Sequence, residues 1–285
     1  MKCYTTTAMW STAPEYRLRS RRLGRIGATG SHRESEGVTV TEVGDETWRD
    51  RGLHARVVNA LGQEIVDGTY APGDILNLDR LSERFTVSRS VLREALRVLQ
   101  SLGMVEPRQR VGTQVLPRQL WDLFSPQIIQ WRGQGDYFAQ MREILELRLG
   151  IEPVAARLSA RLMTTEEREA VARAAAVMIQ ADQARDGRRY LEADVDFHTL
   201  ILQGSGNAVM GHFASTVAAL LRTREQEKRF TITEYTPPSA HRHNDLAAAI
   251  VAGDEDAAYS CAYATLEATL NEFVQESAGS HTTAG

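Results

Sequence analysis

Apolar residues recur at every fourth position in the segment that begins near residue 47. Leu53, Val57, Leu61 and Ile65 follow one another at this spacing, and Gly68 comes shortly after the last of them. Because an α-helix has about 3.6 residues per turn, this spacing places the four side chains on one face. A glycine just behind the periodic residues is typical of a helix C-terminus. The pattern therefore predicts an amphipathic helix that ends before Gly68.

Two short helices are predicted next. Leu78, Leu81 and Phe85 mark the first of them, and Ser88 is a good N-cap for the second. Gly103 is expected to end that helix. The predicted buried stripe of the helix that follows Ser88 consists of Val91, Ala95, Val98, Leu99 and Leu102.

Two β-prone pieces, MVEPRQ and GTQVLP, follow these helices. Arg110, Val111 and Gly112 join them, which indicates a tight hairpin. Three short helices and a hairpin are the elements of a winged helix-turn-helix. Residues 47–118 are therefore predicted to form a DNA-binding domain of this type.

The chain beyond Pro117 is predicted to be almost entirely helical, which gives a mainly α fold with an all-α bundle at the C-terminus. Residues 119–285 are assigned to this effector-binding and dimerisation domain. Residues 1–46 lack periodicity and are rich in Ser, Thr, Gly and Arg, as expected for a disordered tail. The predicted helical segments of the C-terminal domain lie within 120–132, 141–162, 164–184, 187–204, 207–230, 239–252 and 254–276.

Charge is distributed unevenly along the chain. The net charge of −4 does not by itself favour a nucleic-acid binder. Residues 47–118, however, contain 11 arginines, no lysine and 8 acidic residues, whereas residues 119–285 contain 15 basic and 23 acidic residues. This asymmetry indicates two domains with different partners.

Composition favours a soluble cytoplasmic protein. The two cysteines, Cys3 and Cys261, lie near opposite ends of the chain, without disulfide or metal-ligand spacing. No apolar run approaches the roughly 20 residues that span a bilayer. The basic N-terminus has no apolar segment behind it and does not resemble a secretory signal.

A cationic face is predicted on the helix that follows Ser88. Arg89, Arg93 and Arg97 are spaced by four residues, while Ser88 and Ser90 lie at the helix N-terminus. Arginine can bind guanine with two hydrogen bonds in the major groove, and short hydroxyl groups can contact phosphate. The same pattern would also describe a solvated basic face. The helix-turn-helix spacing favours the DNA-reading interpretation.

The stretch PGDILNLDRLSERFTVSRSVLREALRVLQSLGMVEPRQRVGTQV resembles the winged helix of the GntR family. The resemblance implies that Arg89 and Arg93 contact DNA beside Ser88 and Ser90. Asp79 stands where FadR-type members often carry arginine. The wing around Gly112, with Arg108 and Arg110 beside it, is expected to approach the minor groove.

A carboxylate and an imidazole stand four residues apart in ADVDFHTL, so Asp194 and His198 are expected on one helix face. This spacing fits a metal-ligand pair and equally a structural or surface pair. The chain has no HExxH pattern, no Gly-x-Ser-x-Gly elbow and no phosphate loop, which argues against an enzyme of those classes.

DVDFHTLILQGSGNAVM and HNDLAAAIVAGDEDAA resemble two segments of the FCD ligand-binding domain of FadR-type regulators. That resemblance implies a divalent metal, Zn²⁺ or similar, bound by Asp194, His198 and His243. A fourth histidine is usual in the family at the position of Thr265. A polar pocket that binds the effector without metal is the alternative.

Arg148 and Glu152 match an Arg-x3-Glu pattern of the same family. Arg148 either forms a helical salt bridge with Glu152 or clamps an effector carboxylate. FSPQIIQWR resembles a segment of sugar-acid regulators, so a sugar acid is the expected effector. The predicted effector-binding residues are Arg148, Asp194, His198, His243 and Thr265.

These features together predict a transcription regulator, with repression implied by the family resemblance, and not an enzyme. A homodimer is expected to bind a pseudo-palindromic operator, and a small organic acid is expected to shift its affinity for DNA. Two alternatives remain open from the sequence. One is a metal-responsive regulator, and the other is a metal-dependent enzyme that uses Asp194, His198 and His243.

Overall fold

The computed structural model describes the main chain of residues 44–226 and 237–282, and the side chains of 52–223 and 239–274. The predicted tail, residues 1–46, lies outside the described residues except for its last three. Those three residues belong to the first helix, which begins at Gly44. The last predicted residues of the 207–230 segment also lie outside the described residues.

The N-terminal elements form a winged helix-turn-helix, as the sequence predicts. The hairpin is present, with Arg108 paired to Gly112 and Val105 to Val115. Ile75 and Leu76 add a third strand that hydrophobic alternation did not predict, because only two residues take part. The sheet order is β1-β3-β2. The elements are α1 (Gly44–Val66), β1 (Ile75–Leu76), α2 (Leu78–Phe85), α3 (Arg89–Ser101), β2 (Val105–Arg108) and β3 (Gly112–Val115).

Local side-chain chemistry sets the turn between α2 and α3. The Asn77 side chain accepts hydrogen bonds from two main-chain amides at the start of α2. Thr86 ends α2 in the left-handed region, with φ of 53°. The Ser88 hydroxyl then accepts from the amide of Val91, which confirms the predicted N-cap of α3.

The buried face of α3 differs in part from the predicted stripe. Ala95 and Leu99 are buried as predicted, whereas Val91, Val98 and Leu102 are only half-buried against the same core. Leu92 and Leu96 are buried and were missing from the prediction. Because α3 packs against both α1 and α2, its apolar face is wider than a single stripe.

Helices dominate the remainder of the described chain, and each predicted segment corresponds to at least one of them. A short 3₁₀ turn, Arg118–Leu120, comes first. The helix α6 starts with the predicted cap at Thr164, in a capping box with Glu167. The helices are α4 (Pro126–Gly135), α5 (Tyr137–Leu162), α6 (Thr165–Ala184), α7 (Gly187–Gly204), α8 (Ala208–Gln226), α9 (Pro237–Ala252) and α10 (Glu255–Thr282).

The helical domain packs around α5 and α7. Helix α5 lies along α10 and contacts α7 and α9, while α7 lies between α6 and α8. Apolar residues of different sizes fill the space between these helices, including Ala156, Met178 and Phe197, all completely buried. This packing brings polar residues of α5, α7 and α9 together inside the bundle. Within residues 44–226 and 237–282, none of the helices combines the length and apolar character that a membrane span requires.

Helix α4 joins the two domains. It packs on α1 of the winged helix on one side and on α8 of the bundle on the other. The Trp131 ring lies so close to Gly62 that an added Cβ there would come within 2.6 Å of it. The indole of Trp131 also donates to Asn59 at 3.2 Å. The absence of a side chain at Gly62 thus permits this close helix contact.

Candidate nucleic-acid interface and metal centre

The arginines predicted to read DNA lie on the solvent-facing side of α3. Arg89, Arg93 and Arg97 are all exposed, and their spacing of four places them in one row. Ser88 and Ser90 are exposed at the helix N-terminus, with their hydroxyl oxygens 2.8 Å apart. Helix α3 therefore presents cationic and hydroxyl groups on a face that the core does not cover.

Acidic neighbours hold some of these arginines. Arg89 pairs with Asp79 of α2 at 2.7 Å, and Arg97 pairs with Glu94 at 2.5 Å. Arg93 forms no ion pair with any residue whose side chain is described. Exposed pairs of this kind contribute little to stability, roughly 0–1 kcal/mol, and exchange readily for other partners.

The wing carries two exposed arginines beside its turn. Arg110 occupies the left-handed region with φ of 61°, and Gly112 follows with φ of 128°. The positive φ favours glycine at this position, and a Cβ there would also come within 3.0 Å of the Ile75 side chain. Arg108 pairs with Glu106 at 2.6 Å and donates to Gln114 at 2.9 Å.

Three predicted ligands converge inside the helical bundle. Asp194 and His198 come from α7, one turn apart, and His243 comes from α9. Asp194 Oδ1 lies 3.3 Å from His198 Nε2 and 3.3 Å from His243 Nε2, and the two Nε2 atoms are 3.4 Å apart. All three residues are buried. The three atoms form a nearly equilateral triangle.

The outer nitrogen of each imidazole has a fixed partner. His243 Nδ1 lies 2.8 Å from the carbonyl oxygen of Ser239, which can only accept, so Nδ1 donates. His198 Nδ1 lies 2.7 Å from Glu152 Oε2. In each neutral imidazole the Nε2 lone pair then faces the triangle.

The triangle fits a metal ion. Asp194 Oδ1 is buried without a well-aligned hydrogen bond, so three electron-donating atoms converge and one of them lacks a donor. Tetrahedral zinc, with ligand distances of roughly 2.0–2.1 Å, keeps its ligand atoms about 3.4 Å apart. Asp194, His198 and His243 can therefore hold a divalent cation through one oxygen and two nitrogens.

Glu152 is a member of this centre that was not among the predicted site residues. It accepts from Arg148 Nε at 2.5 Å through Oε1 and faces His198 through Oε2. Burial raises the pKa of Glu152, but Arg148 and His198 together lower it to about 2. Arg148 is itself buried. The salt-bridge interpretation of Arg148 thus describes the observed geometry.

The same charges shift the pKa values of the ligands. Burial lowers the pKa of His198, but the carboxylates of Glu152 and Asp194 outweigh burial and raise it. Burial raises the pKa of Asp194, but the two imidazoles outweigh burial and hold it well below its usual value. A proton and a metal ion therefore compete for Nε2 of His198.

Phe197 borders the three converging residues, and Thr265 is the last of the predicted effector-binding residues. The Phe197 ring meets the rings of His198 and His243 edge-on, with centroids 5.6 and 5.2 Å apart. Thr265 is buried, and its hydroxyl donates to the carbonyl oxygen of Cys261 at 2.8 Å. It is not one of the three converging ligands.

Comparison with known proteins identifies the family. Residues 53–115 match the bacterial regulatory proteins of the gntR family, and residues 143–268 match the FCD domain. The HTH-type transcriptional regulator YieP of Escherichia coli strain K12 is 33% identical over 219 residues, which cover 76% of this chain and 93% of YieP. The chain belongs to the GntR family. It is a FadR-type member, with a GntR helix-turn-helix followed by an FCD domain.

A second relative of this GntR-family chain is the galactonate operon transcriptional repressor of the same strain. It is 30% identical over 209 residues, covering 73% of this chain and 90% of the repressor. A solved structure of Lar, described as controlling the expression of the Listeria monocytogenes agr system, is similar over 78% of this chain and 97% of the Lar chain. Its identity is 18% and its TM-score 0.53, which shows the shared fold.

Family membership decides one alternative left open by the sequence. The chain is a DNA-binding transcription regulator, so the interpretation of Asp194, His198 and His243 as a catalytic metal site of an enzyme is wrong. The three residues lie instead in the domain that binds effectors in this family.

Proposed function

We propose that this GntR-family regulator is a repressor whose operator affinity is controlled by a small carboxylate effector bound at a metal ion in the FCD domain. The observation that carries the proposal is the buried convergence of Asp194, His198 and His243 on one point. Buried polar groups cost free energy unless they are satisfied, and a cation at this point would satisfy all three atoms together.

On the DNA side, α3 enters the major groove and the β2–β3 wing approaches the minor groove. Exposure of the cationic row on α3 and of the wing arginines supports this arrangement. A homodimer places two such units on the half-sites of a pseudo-palindromic operator. Because the partner is genomic DNA, we expect the protein to act in the cytoplasm. The proposed DNA contacts are Ser88, Arg89, Ser90, Arg93, Arg97, Arg108, Arg110 and Gly112.

The charges of the buried centre support a metal-bound effector. Arg148 is matched by Glu152, so Asp194 leaves the centre with one net negative charge when both imidazoles are neutral. Such a centre repels a carboxylate. A divalent cation reverses the sign and, with three protein ligands, leaves a coordination position for an oxygen of the effector.

The identity of the effector is proposed from similarity. The galactonate operon repressor is 30% identical to this chain, which favours a sugar acid. In this proposal the effector lies against the metal, with Thr265 and Arg148 as further contacts. Regulation by the metal ion alone, without an organic acid, is the second candidate, since the same three ligands support it.

One experiment separates these possibilities. The operator is selected from random duplex DNA, and its binding is then measured by mobility shift with zinc, with galactonate, with both, and after chelation. The proposal expects galactonate or a related sugar acid to release DNA only when zinc is present. Release by zinc alone would favour the metal-responsive alternative, and release by the acid equally after chelation would reject the metal-bound effector.

A further inference from the structure

Glu152 connects a buried cation to a metal-ligand histidine. Its Oε1 accepts from Arg148 Nε at 2.5 Å, and its Oε2 lies 2.7 Å from His198 Nδ1. Arg148 Nη2 also approaches Oε2, at 3.4 Å. All three side chains are buried, so solvent does not weaken these contacts.

The two histidine ligands are held in different ways. The partner of His243 Nδ1 is a main-chain carbonyl one turn earlier on α9, which the helix itself fixes. The partner of His198 Nδ1 is a side chain from another helix, α5. A glutamate side chain has several rotamers, so the position of its carboxylate depends on a further contact. Arg148, one turn earlier on α5, provides that contact.

We propose that Glu152, held in place by Arg148, is the positioning residue of the metal centre. It keeps the proton of His198 on Nδ1 and aims Nε2 at the ion. The proposal rests on the proposed metal binding at Asp194, His198 and His243. A ligand held in this way is more basic and better oriented, and loss of such a partner typically lowers metal affinity about 10- to 100-fold.

This role is significant for a centre with three protein ligands. Where the family pattern has a further histidine, this chain has Thr265, whose hydroxyl donates to the main chain. Each remaining ligand therefore contributes a larger share of the binding free energy. An ionised Glu152 also places negative charge next to His198, which favours a cation at Nε2.

The proposal separates two roles for Arg148. If Arg148 only clamps the effector carboxylate, its replacement leaves zinc affinity unchanged when no effector is present. If Arg148 holds Glu152, its replacement by methionine weakens zinc binding in the absence of any organic acid. We expect the second result.

The sharpest variant is Glu152→Gln, because an amide has one accepting oxygen and one donating nitrogen. The buried Arg148 takes the oxygen, so the amide nitrogen faces His198 Nδ1. That arrangement favours the tautomer with the proton on Nε2, which leaves no lone pair on the nitrogen that faces the metal position. Glu146→Gln is the matched control: it belongs to an Arg-x3-Glu pair on the same helix, with Arg142 at 3.9 Å, but both side chains are exposed.

Two measurements are made on the full-length protein. Zinc dissociation constants come from competition with a chromophoric chelator, without organic acid. Imidazole tautomers come from ¹H–¹⁵N spectra of metal-free protein labelled at histidine. We expect Glu152→Gln to lose zinc affinity by roughly 10- to 100-fold and to change the His198 tautomer, with Glu146→Gln unchanged in both.

The outcomes distinguish this proposal from the proposed function. If the unmodified protein binds no zinc, the metal centre fails, and the His198 tautomer alone decides whether Glu152 positions the ring. If zinc binds equally to Glu152→Gln and the tautomer is the same, the positioning role is overturned. Should Glu152→Gln fail to fold, Glu152→Asp replaces it. That variant keeps the charge beside Arg148 but withdraws it from His198, and the same two readouts apply.

Discussion

Arg118 and Glu143 form a two-pronged ion pair that joins the segment behind the wing to α5. Arg118 Nη2 lies 2.9 and 3.0 Å from the two oxygens of Glu143. Glu143 also accepts from Arg132 at 2.8 Å, and Asp136 contacts both arginines. The helix that carries Glu143 also carries Glu152, so one helix reaches both the interdomain junction and the proposed metal centre.

Glu143→Gln should lower the free energy of unfolding by roughly 1–3 kcal/mol, because the buried Arg132 exchanges a charged acceptor for a neutral one. Arg132 is only 2% exposed, and of the two carboxylates it contacts it would keep only Asp136, at 3.1 Å. Urea denaturation measures the change. Glu169→Gln is the control, since Glu169 and Arg173 are both exposed and 3.6 Å apart, and it should stay within about 0.5 kcal/mol. If Glu143→Gln and Glu169→Gln lost the same free energy of unfolding, the ion pairs of Glu143 would not stabilise the junction.

The winged helix could be predicted from the sequence because its signals are local. Ser88 caps α3 and Gly103 ends it with φ of 71°, and both positions were expected from residue type. Strand β1 was not predicted, since its two residues pair with β3 across about forty positions of sequence. Hydrophobic periodicity does not report a pairing of that kind.

Gly103→Ala tests how tightly α3 is joined to the connector. A Cβ at Gly103 would lie 2.1 Å from the carbonyl oxygen of Leu120, in addition to the cost of a positive φ. Gly68 has a similar φ of 77° but open space around it. Gly68→Ala should cost about 1–2 kcal/mol, the usual penalty of the left-handed region. Gly103→Ala should cost a further 1–3 kcal/mol or so from the clash. Thermal and urea unfolding should show the larger loss of stability for Gly103→Ala. Similar losses in the two variants would show that the connector at Leu120 moves to accommodate the added Cβ.

Arg89→Ala and Arg93→Ala should each weaken operator binding by about 1–3 kcal/mol if α3 reads base edges. Arg89 must first leave Asp79, 2.7 Å away, so Asp79→Ala should leave operator affinity unchanged or raise it. Mobility shift at fixed salt, on the operator selected from random DNA, measures all three. Arg142→Ala, an exposed arginine of α5, is the control for lost charge. An equal effect of Arg142→Ala would point to general electrostatic attraction instead of reading by α3.

Glu152 shows what sequence spacing cannot supply. Arg142–Glu146 and Arg148–Glu152 have the same spacing on the same helix, yet the first pair is exposed and the second is buried. Which pair faces inward depends on how α5 packs against α7 and α10, and this is a property of the tertiary structure. Asp194, His198 and His243 could be named in advance only because two segments resemble the FCD domain. Spacing alone left the Asp194–His198 pair ambiguous.

The α6 capping box should make stability depend on pH in the acid range. The amide and hydroxyl of Thr164 donate to the Glu167 carboxylate at 2.8 and 2.9 Å, and these bonds lower the pKa of Glu167 from 4.5. Stabilisation by this group is therefore complete above the unfolded pKa and is lost as the pH falls through the folded one. At pH 7 the melting temperature of Glu167→Gln should be lower than that of the unmodified protein. The difference between the two melting temperatures should narrow below about pH 4. Glu166→Gln, in the same first turn, is the control and should lower the melting temperature less. If the difference for Glu167→Gln did not depend on pH, the Glu167 carboxylate would not be the source of the stabilisation.

Thr265→His should raise zinc affinity if Thr265 occupies the fourth ligand position of the family pattern. A fourth nitrogen completes a tetrahedral site, so the dissociation constant should fall, and competition with a chromophoric chelator measures it. The threonine side chain is buried and its hydroxyl donates to the carbonyl oxygen of Cys261, so some loss of stability is expected from the larger imidazole ring.

Ala264→His is the control, because it adds an imidazole at the neighbouring, exposed position of α10. If galactonate competes for the open metal position, Thr265→His should also weaken its effect on DNA binding. Unchanged zinc affinity in Thr265→His, with the fold intact, would show that Thr265 does not face the metal centre.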